Sequence, residues 1–253
     1  MARVRSGGWR GSVSAAWADH AGEWIAWARA PGHDSYWQFH RDRFLELLPP
    51  PPGRVLDLGC GEGRLSRDLR ALGFEVIGID YSMELVTAAK AADQTGTYVQ
   101  ADAAHLPFQD ASFDLVVAFM SLQDMDQMDL AVAETTRVLR PGGRVCLAVV
   151  HPINSAGAHE SEAARAAFRI ENSYMAQRDY FDEMERDGLA MTFVSRHHSL
   201  QDYTDAFTDR GCLIEALREV VVPVELVERH PGQERWRRIP MFLQMRCLLP
   251  DRR

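Results

Sequence analysis

The chain has 253 residues, of which 46% are hydrophobic and 25% charged, and its formal net charge is -8. This is the composition of a globular protein that can bury a substantial core, and the net charge excludes a general attraction to the phosphate backbone of nucleic acids. The four cysteines lie far apart without a CxxC pair, which argues against a zinc site or a disulfide framework.

The first fifth of the chain is rich in aromatic residues. Residues 14–30 predict a helix, because Trp17, Trp24 and Trp27 are spaced to lie on one face. Five of the six tryptophans precede residue 40, and four prolines at 49–52 interrupt helix and strand alike. We therefore predict an N-terminal helical, aromatic segment at residues 1–50 and a separate larger domain at residues 51–253.

Apolar strands and helices alternate after the prolines. The predicted strands are "RVLDL", "EVIGI", "TYVQA", "FDLVVAF" and "RVCLAVV", and the predicted helices lie at 63–72, 82–92 and 126–139. Such alternation predicts a parallel sheet with right-handed crossovers, and the continuous apolar run "FDLVVAF" is typical of a strand buried on both faces. The fold class is therefore α/β, with a doubly wound sheet.

The alternation stops after the fifth strand. Residues 153–198 contain helix-like and aromatic stretches, and we predict a helical insert there. A helix at 199–210 and two further strands, "LIEALREVVVP" and "IPMFLQMRCLL", complete a mostly parallel seven-stranded sheet. No run approaches the ~20 apolar residues that cross a bilayer, and the first residues lack the apolar stretch of a signal peptide. We expect a cytoplasmic protein without a membrane partner.

The stretch "VLDLGCGEGR" places Gly59, Gly61 and Gly63 directly after the first strand of this domain. Ligands bind at the carboxyl ends of the strands in such sheets, and glycines let a ligand approach the backbone closely. The dinucleotide fingerprint GxGxxG requires its third glycine at position 64, which is Arg64 here. No lysine follows as in a phosphate-binding loop.

The pattern DxGxGxG resembles motif I of the class I S-adenosylmethionine-dependent methyltransferases. The resemblance continues in order through "IGIDYS", "QADAAHLPFQDASFDLVVAF" and "AVAETTRVLRPGG", and covers residues 53–152. It is closest to the small-molecule group called methyltransferase type 11. The resemblance implies a Rossmann-like fold, S-adenosylmethionine as cofactor and S-adenosylhomocysteine as product.

The resemblance also implies roles for individual residues. Gly59 and Gly61 would carry the amino-acid tail of the cofactor, Asp57 would hold the loop or receive the ammonium group, and Asp80 would accept from both ribose hydroxyls. The remaining implied contacts are Asp102 and the Ala103 N–H to adenine, Phe119 and Met120 near the sulfonium, Tyr36 to the carboxylate, and Cys60 and Tyr81 as neighbours.

Candidate acceptor-binding residues lie on the same side of the sheet. His151 follows the fifth strand and is the candidate base or substrate contact, with capping of the turn as the alternative. Further candidates are Trp37, Tyr174, Tyr180, His197 and His198. The end of the fourth strand carries Phe119 and Met120 instead of a metal-binding aspartate, so we expect no metal.

We therefore predict a methyltransferase for a small, partly apolar or aromatic metabolite, with the aromatic N-terminus as a lid, acting as a monomer or homodimer without nucleic acid. A nucleic-acid methyltransferase and a non-catalytic cofactor-binding module remain the alternatives. The basic stretch "RWRR" at 235–238 is the feature that keeps the first alternative open. The sequence leaves open whether oxygen, nitrogen or carbon is methylated.

Overall fold

The computed structural model describes residues 3–6, 11–170 and 172–251. Its strands are β1 (Arg3–Ser6), β2 (Arg54–Leu58), β3 (Glu75–Asp80), β4 (Thr97–Gln100), β5 (Phe113–Phe119), β6 (Leu139–Val150), β7 (Gly157–His159), β8 (Phe168–Ile170), β9 (Arg178–Arg186), β10 (Leu189–His197), β11 (Leu213–Val220) and β12 (Phe242–Leu248). Its α-helices are α1 (Val13–Asp19), α2 (Ala21–Arg29), α3 (Arg41–Leu45), α4 (Arg64–Ala71), α5 (Met83–Ala92), α6 (Met128–Val138), α7 (Pro152–Ser155), α8 (Leu200–Thr208) and α9 (Val224–Arg229). A π-helix spans Tyr36–His40, and 3₁₀ turns span Leu122–Asp124 and Pro231–Arg237.

Seven strands form the main sheet in the order β11-β12-β6-β5-β2-β3-β4. The five neighbouring strands β4, β3, β2, β5 and β6 are parallel, whereas β12 is antiparallel to both of its neighbours, β6 and β11. The predicted doubly wound, mostly parallel seven-stranded sheet is therefore confirmed. All of the described helices are shorter and less apolar than a membrane-spanning helix.

Both faces of the sheet are buried. Val55 of β2 packs with Phe44 and Leu69 in one hydrophobic cluster, whereas the next residue, Leu56, packs with Phe207 in a second cluster on the other face. Successive side chains of a strand point to opposite faces, so a strand with helices on both sides is apolar at every position. This is why these strands are uninterrupted apolar runs in the sequence.

The central strands end at one edge of the sheet. The register pairs Leu58 of β2 with Ile79 of β3, and Asp57 with Val117 of β5. The loops that follow β2, β3 and β5 therefore open side by side. The glycine-rich loop, the acidic residue after β3 and the residues after β5 meet there as a result.

The insert after β6 is mainly β-structure, so the prediction of a helical insert was wrong. Strands β9 and β10 form a long antiparallel hairpin, β1 adds to the free edge of β9, and β7 pairs with β8. Among the residues of the insert that the structure describes, helix is limited to the four residues of α7. The side chains at alternate positions of β9 include Tyr180, Asp182 and Met184, all of which line a cavity. The strand therefore lacks the apolar alternation that identifies a half-buried strand.

The N-terminal segment packs on this hairpin. The predicted helix at 14–30 is two helices, α1 and α2, which meet at His20. The rings of Trp17, Trp24 and Trp27 surround Phe193 of β10, with centroid distances of 6.3, 6.1 and 5.8 Å. Further along the chain, Phe44 is fully buried against the main sheet. The aromatic stripe thus holds the first two helices against the insert.

Candidate functional site

A cavity of about 550 Å³ lies at the carboxyl edge of the central strands. The loops after β2, β3, β4 and β5 form one wall, the N-terminal segment covers it, and the β9–β10 hairpin forms the opposite wall. All eleven residues that the sequence predicts for the cofactor line this cavity: Asp57, Gly59, Cys60, Gly61, Asp80, Tyr81, Asp102, Ala103, Phe119, Met120 and Tyr36.

The glycine-rich loop needs its glycines for backbone conformation and for space. Gly59 and Gly61 have φ angles of +73° and +56°, a region that side chains disfavour. A Cβ atom on Gly59 would lie 2.5 Å from the Cβ of Ser121, and one on Gly61 would lie 3.0 Å from Nε1 of Trp24. The loop therefore presents bare backbone to the cavity.

Asp80 closes the loop from the neighbouring strand. Its Oδ2 accepts the Gly61 N–H at 2.8 Å, and its Oδ1 accepts the Ser82 N–H at 2.9 Å. Burial raises the pKa of this carboxyl, and the backbone donors oppose the rise. A carboxylate has about four acceptor sites in all, so Asp80 can accept a further hydrogen bond from a ligand in the cavity in addition to those of the backbone.

Asp57 lies beneath the loop and is almost fully buried. The Ser66 hydroxyl donates to its Oδ2 at 2.6 Å, which ties the end of β2 to α4. Burial raises the pKa of Asp57 to about 7, and the nearby carboxylate of Asp80 adds to the rise. Of its two predicted roles, holding the loop is the one with a direct contact in this structure.

Asp102 follows β4 at the far end of the cavity and is half-exposed. Its Oδ1 accepts the Ala104 N–H at 2.9 Å, and its Oδ2 lies 3.1 Å from Nδ1 of His105. These contacts fix the turn that carries Ala103. Binding of adenine by this turn stays a prediction.

Arg64, to which the sequence analysis assigned no role, lies at the mouth of the glycine-rich loop. The Arg64 guanidinium stacks over the Trp24 ring at 4.8 Å and the Tyr36 ring at 4.1 Å. It also donates to Oδ2 of Asp34 at 2.8 Å. The hydroxyl of Tyr36 donates to Asp68 at 2.7 Å, so Arg64 is the better-placed donor for a ligand carboxylate. Its position directly after DxGxGxG, as the first residue of α4, was the available signal.

The end of β5 has an unusual backbone. Met120 has a φ of +57°, in the left-handed region where a residue with a side chain is uncommon. Such residues are found at functional sites, where surrounding contacts maintain the strain. The preceding Phe119 is packed edge-to-face against Tyr36 and Phe44, with centroids at 5.4 and 4.9 Å. The strand therefore ends in a rigid apolar corner of the cavity.

Two further carboxyl groups that the sequence analysis missed line the cavity: Asp124, in the turn after β5, and Asp182, on strand β9. Asp124 accepts from the Ser195 hydroxyl at 2.6 Å, and burial raises its pKa well above the usual range. Burial likewise raises the pKa of Asp182 to about 6, and its Oδ1 lacks a partner among the described residues. Tyr180 lies on the same face of β9 and also lines the cavity.

The other residues that the sequence predicts to contact the methyl acceptor are not among the described residues that line the cavity. His151 accepts the Ile153 N–H on Nδ1 at 3.1 Å, and its Nε2 lies 3.0 Å from Glu219. Burial lowers its pKa, and Glu219 opposes the shift. Both ring nitrogens are therefore engaged by the protein, as the capping alternative expects. A role for His151 in transfer stays a prediction.

The same applies to the remaining candidates. Both ring nitrogens of His197 have partners: the Ser155 hydroxyl lies 2.7 Å from Nδ1, and the Tyr174 carbonyl oxygen lies 2.9 Å from Nε2. The Tyr174 hydroxyl accepts the Leu200 N–H at 3.1 Å. His198 is buried outside the cavity, and Trp37 donates to the Ala28 carbonyl at 3.2 Å. Tyr180 is the one predicted acceptor residue that the described structure brings to the cavity wall.

Comparison with known proteins agrees with the fold. The family model described as "Methyltransferase domain", of the type 11 group, matches residues 56–147. The malonyl-[acyl-carrier protein] O-methyltransferase of Pectobacterium atrosepticum is 30% identical over 201 residues, which cover 77% of this chain and 76% of that protein. The chain belongs to the class I S-adenosylmethionine-dependent methyltransferases.

Two further matches support the same assignment. The demethylmenaquinone methyltransferase of Beutenbergia cavernae is 38% identical over 118 residues, which cover 46% of this chain and 48% of that protein. The crystal structure of an S-adenosylmethionine-dependent methyltransferase from Mesorhizobium loti matches with a TM-score of 0.70 at 25% identity, and the match covers 85% of this chain and 98% of that one.

The residues at the loop of this methyltransferase fit the cofactor. A Cβ atom at Gly59 or Gly61 would collide with Ser121 or Trp24, both of which line the cavity, and the Asp80 carboxylate can accept from a hydroxyl group. Arg64 and Asp34 offer opposite charges at the mouth of the loop, where a zwitterionic amino-acid tail needs both. The site therefore has donors, acceptors and space of the kinds that S-adenosylmethionine requires.

Proposed function

We propose that this methyltransferase transfers a methyl group from S-adenosylmethionine to a small, partly apolar or aromatic metabolite. The observation that carries the proposal is that one cavity is lined by two kinds of residue. The glycine loop and its acidic neighbours line it together with the apolar or aromatic side chains of Phe193, Met184, Tyr180 and Phe242. A cavity that is apolar with a few polar groups is typical of a small-molecule site.

On the cofactor side, we propose that Gly59 and Gly61 carry the amino-acid tail, that Asp80 accepts from the ribose hydroxyls and that the turn at Asp102 receives adenine. Bound S-adenosylmethionine supplies an electrophilic methyl group on a sulfonium sulfur. The chain then contributes mainly position: Phe119 and Met120 hold a rigid corner, and the N-terminal segment excludes water. Fixing two reactants in a near-attack geometry lowers the barrier substantially without a metal.

On the acceptor side, the names of two relatives support a small methyl-accepting group, carried on a protein in one case and part of a free metabolite in the other. They name a malonyl-[acyl-carrier protein] and a demethylmenaquinone as the molecules acted on by those proteins. The basic stretch at 235–238 gives little support to nucleic-acid binding, because Arg235 and Arg238 donate to the carbonyls of Glu162 and Ala166 in the insert. These two arginines therefore connect the 235–238 stretch to the insert.

The test is mass spectrometry of a small-molecule extract incubated with the protein and S-adenosylmethionine labelled in its methyl group. We expect labelled products below the size of macromolecules, formed equally well with and without EDTA. Parallel incubation with bulk tRNA at low salt tests the alternative. Label in the tRNA, or cofactor binding without any labelled product, would contradict the proposed function.

A further inference from the structure

A histidine of the N-terminal segment lies inside the cavity. His40 is the last residue of the π-helix, and its side chain is 1% exposed. The imidazole stacks on Phe242, with ring centroids 3.9 Å apart and an interplanar angle of 8°, and lies 4.7 Å from the ring of Phe119. Short π-helices occur frequently at functional sites. Here one brings an imidazole to the end of β5.

The polar atoms of this imidazole are not used by the fold. Nδ1 of His40 is buried and has no hydrogen-bond partner among the described residues. An unsatisfied buried polar atom costs free energy, and a phenylalanine would fill the same stacked position without that cost. Because Nδ1 is sealed, the part of the ring that lines the cavity is the Nε2 edge.

The surroundings keep this imidazole neutral. Burial, reinforced by the positive charge of Arg64, lowers the pKa of His40 to about 3. The rings packed on it, Phe119, Phe242 and Phe39, carry no charge. The ring therefore offers a lone pair to the cavity throughout the neutral pH range.

We propose that His40 is a catalytic residue, whose Nε2 accepts the proton of an acceptor that is methylated on oxygen; this rests on the proposed function. The acceptor lone pair forms the bond to the methyl carbon, and the carbon–sulfur bond breaks with its electron pair staying on sulfur. The acceptor's proton passes to Nε2, and the resulting imidazolium releases it to water after the product leaves.

A weak base suffices for this step. A hydroxyl oxygen becomes a strong acid as it gains the methyl group, so proton transfer to His40 is downhill late in the reaction. The neutral form is the one required at the start, and burial maintains it. His151 is less suited, since both of its nitrogens already have protein partners.

The proposal requires the tautomer with hydrogen on Nδ1. This can be read without knowing the acceptor, from ¹⁵N NMR of histidine-labelled protein bound to S-adenosylhomocysteine, with His40→Phe to assign the signal. We expect His40 to stay neutral, with a bare Nε2, between pH ~5.5 and ~8. Hydrogen on Nε2, or protonation of the ring within that range, would overturn the proposal.

Transfer to two probes tests the chemical role. At pH ~8 phenol keeps its proton, as a tyrosine side chain does, whereas thiophenol is ionised and needs no base. In His40→Phe we expect methylation of phenol to fall at least about 100-fold, methylation of thiophenol to change by less than about threefold, and affinity for S-adenosylhomocysteine by less than about twofold.

His33→Phe is the matched control. His33 is also a buried histidine of the N-terminal segment with an unpartnered ring nitrogen, but it lies outside the described cavity lining. We expect this variant to resemble the wild type with both probes. Equal loss of transfer to phenol and thiophenol in His40→Phe, or no loss with either, would refute a role as base. Wild-type protein inactive on both probes counts against the proposed aromatic acceptor, and the tautomer measurement then decides the role of His40.

Discussion

Replacement of Asp80 is the most direct test of the cofactor site. Asp80→Ala removes both carboxylate oxygens that face the cavity, and it leaves the Gly61 and Ser82 N–H groups without their acceptors. Two hydrogen bonds from ribose hydroxyls to a buried carboxylate contribute about 1.5 kcal/mol or more each. We expect the dissociation constant of S-adenosylhomocysteine to rise about 100-fold, which corresponds to about 3 kcal/mol. Isothermal titration calorimetry measures it.

Asp80→Asn refines this test, because it keeps the shape and one acceptor oxygen. We expect about a tenfold loss of affinity. The 2′,3′-dideoxy analogue of S-adenosylhomocysteine supplies the second arm of a double-mutant cycle. Wild-type protein and Asp80→Ala should bind that analogue with affinities within about threefold of each other. Unchanged affinity for the parent ligand in Asp80→Ala, or an equal loss for both ligands, would refute the assignment of Asp80 to the ribose.

Three further predictions concern the loop, its buried acid and the N-terminal segment. Gly61→Val should abolish cofactor binding, measured by calorimetry, because the new Cβ meets Trp24, while circular dichroism should show a folded protein. The control is Gly211→Val, at a φ of +81° with open space around it. This variant carries similar backbone strain and should bind the cofactor normally. Between pH 3.8 and about 7, the Asp57 carboxyl is protonated in the folded state and ionised in the unfolded chain. Its contribution to stability therefore falls as pH rises through that window. In urea unfolding, Asp57→Asn should therefore gain stability relative to the wild type as pH rises from ~5 to ~8, by at most about 3 kcal/mol, and a constant difference would contradict the shifted pKa. Deletion of residues 1–32 removes the three tryptophans around Phe193 and should leave a folded sheet with impaired methyl transfer; full activity would show that the segment is not a lid.

The sequence by itself determined the main sheet and predicted which residues meet at its carboxyl edge. Its central strands are buried on both faces, so they are mostly apolar, with Asp57 and Asp114 as exceptions, and are visible without the structure. The carboxyl ends of adjacent parallel strands meet at one edge. Residues at or directly after the ends of neighbouring strands, such as Gly59, Asp80 and Phe119, were therefore brought together by topology alone, and each of them lines the cavity.

The tertiary structure alone decided the acceptor side. The hairpin that bears Tyr180 and Asp182 faces a cavity instead of a core, so its residues carry no apolar periodicity, and the sequence favoured a helical insert instead. The tertiary structure likewise decided which histidine keeps a ring nitrogen free of protein partners. His151 loses its free nitrogens to Ile153 and Glu219, whereas His40 is placed by stacking on Phe242, from the last strand of the chain. Local spacing carries no information about such contacts, because they form only when segments distant in sequence pack together.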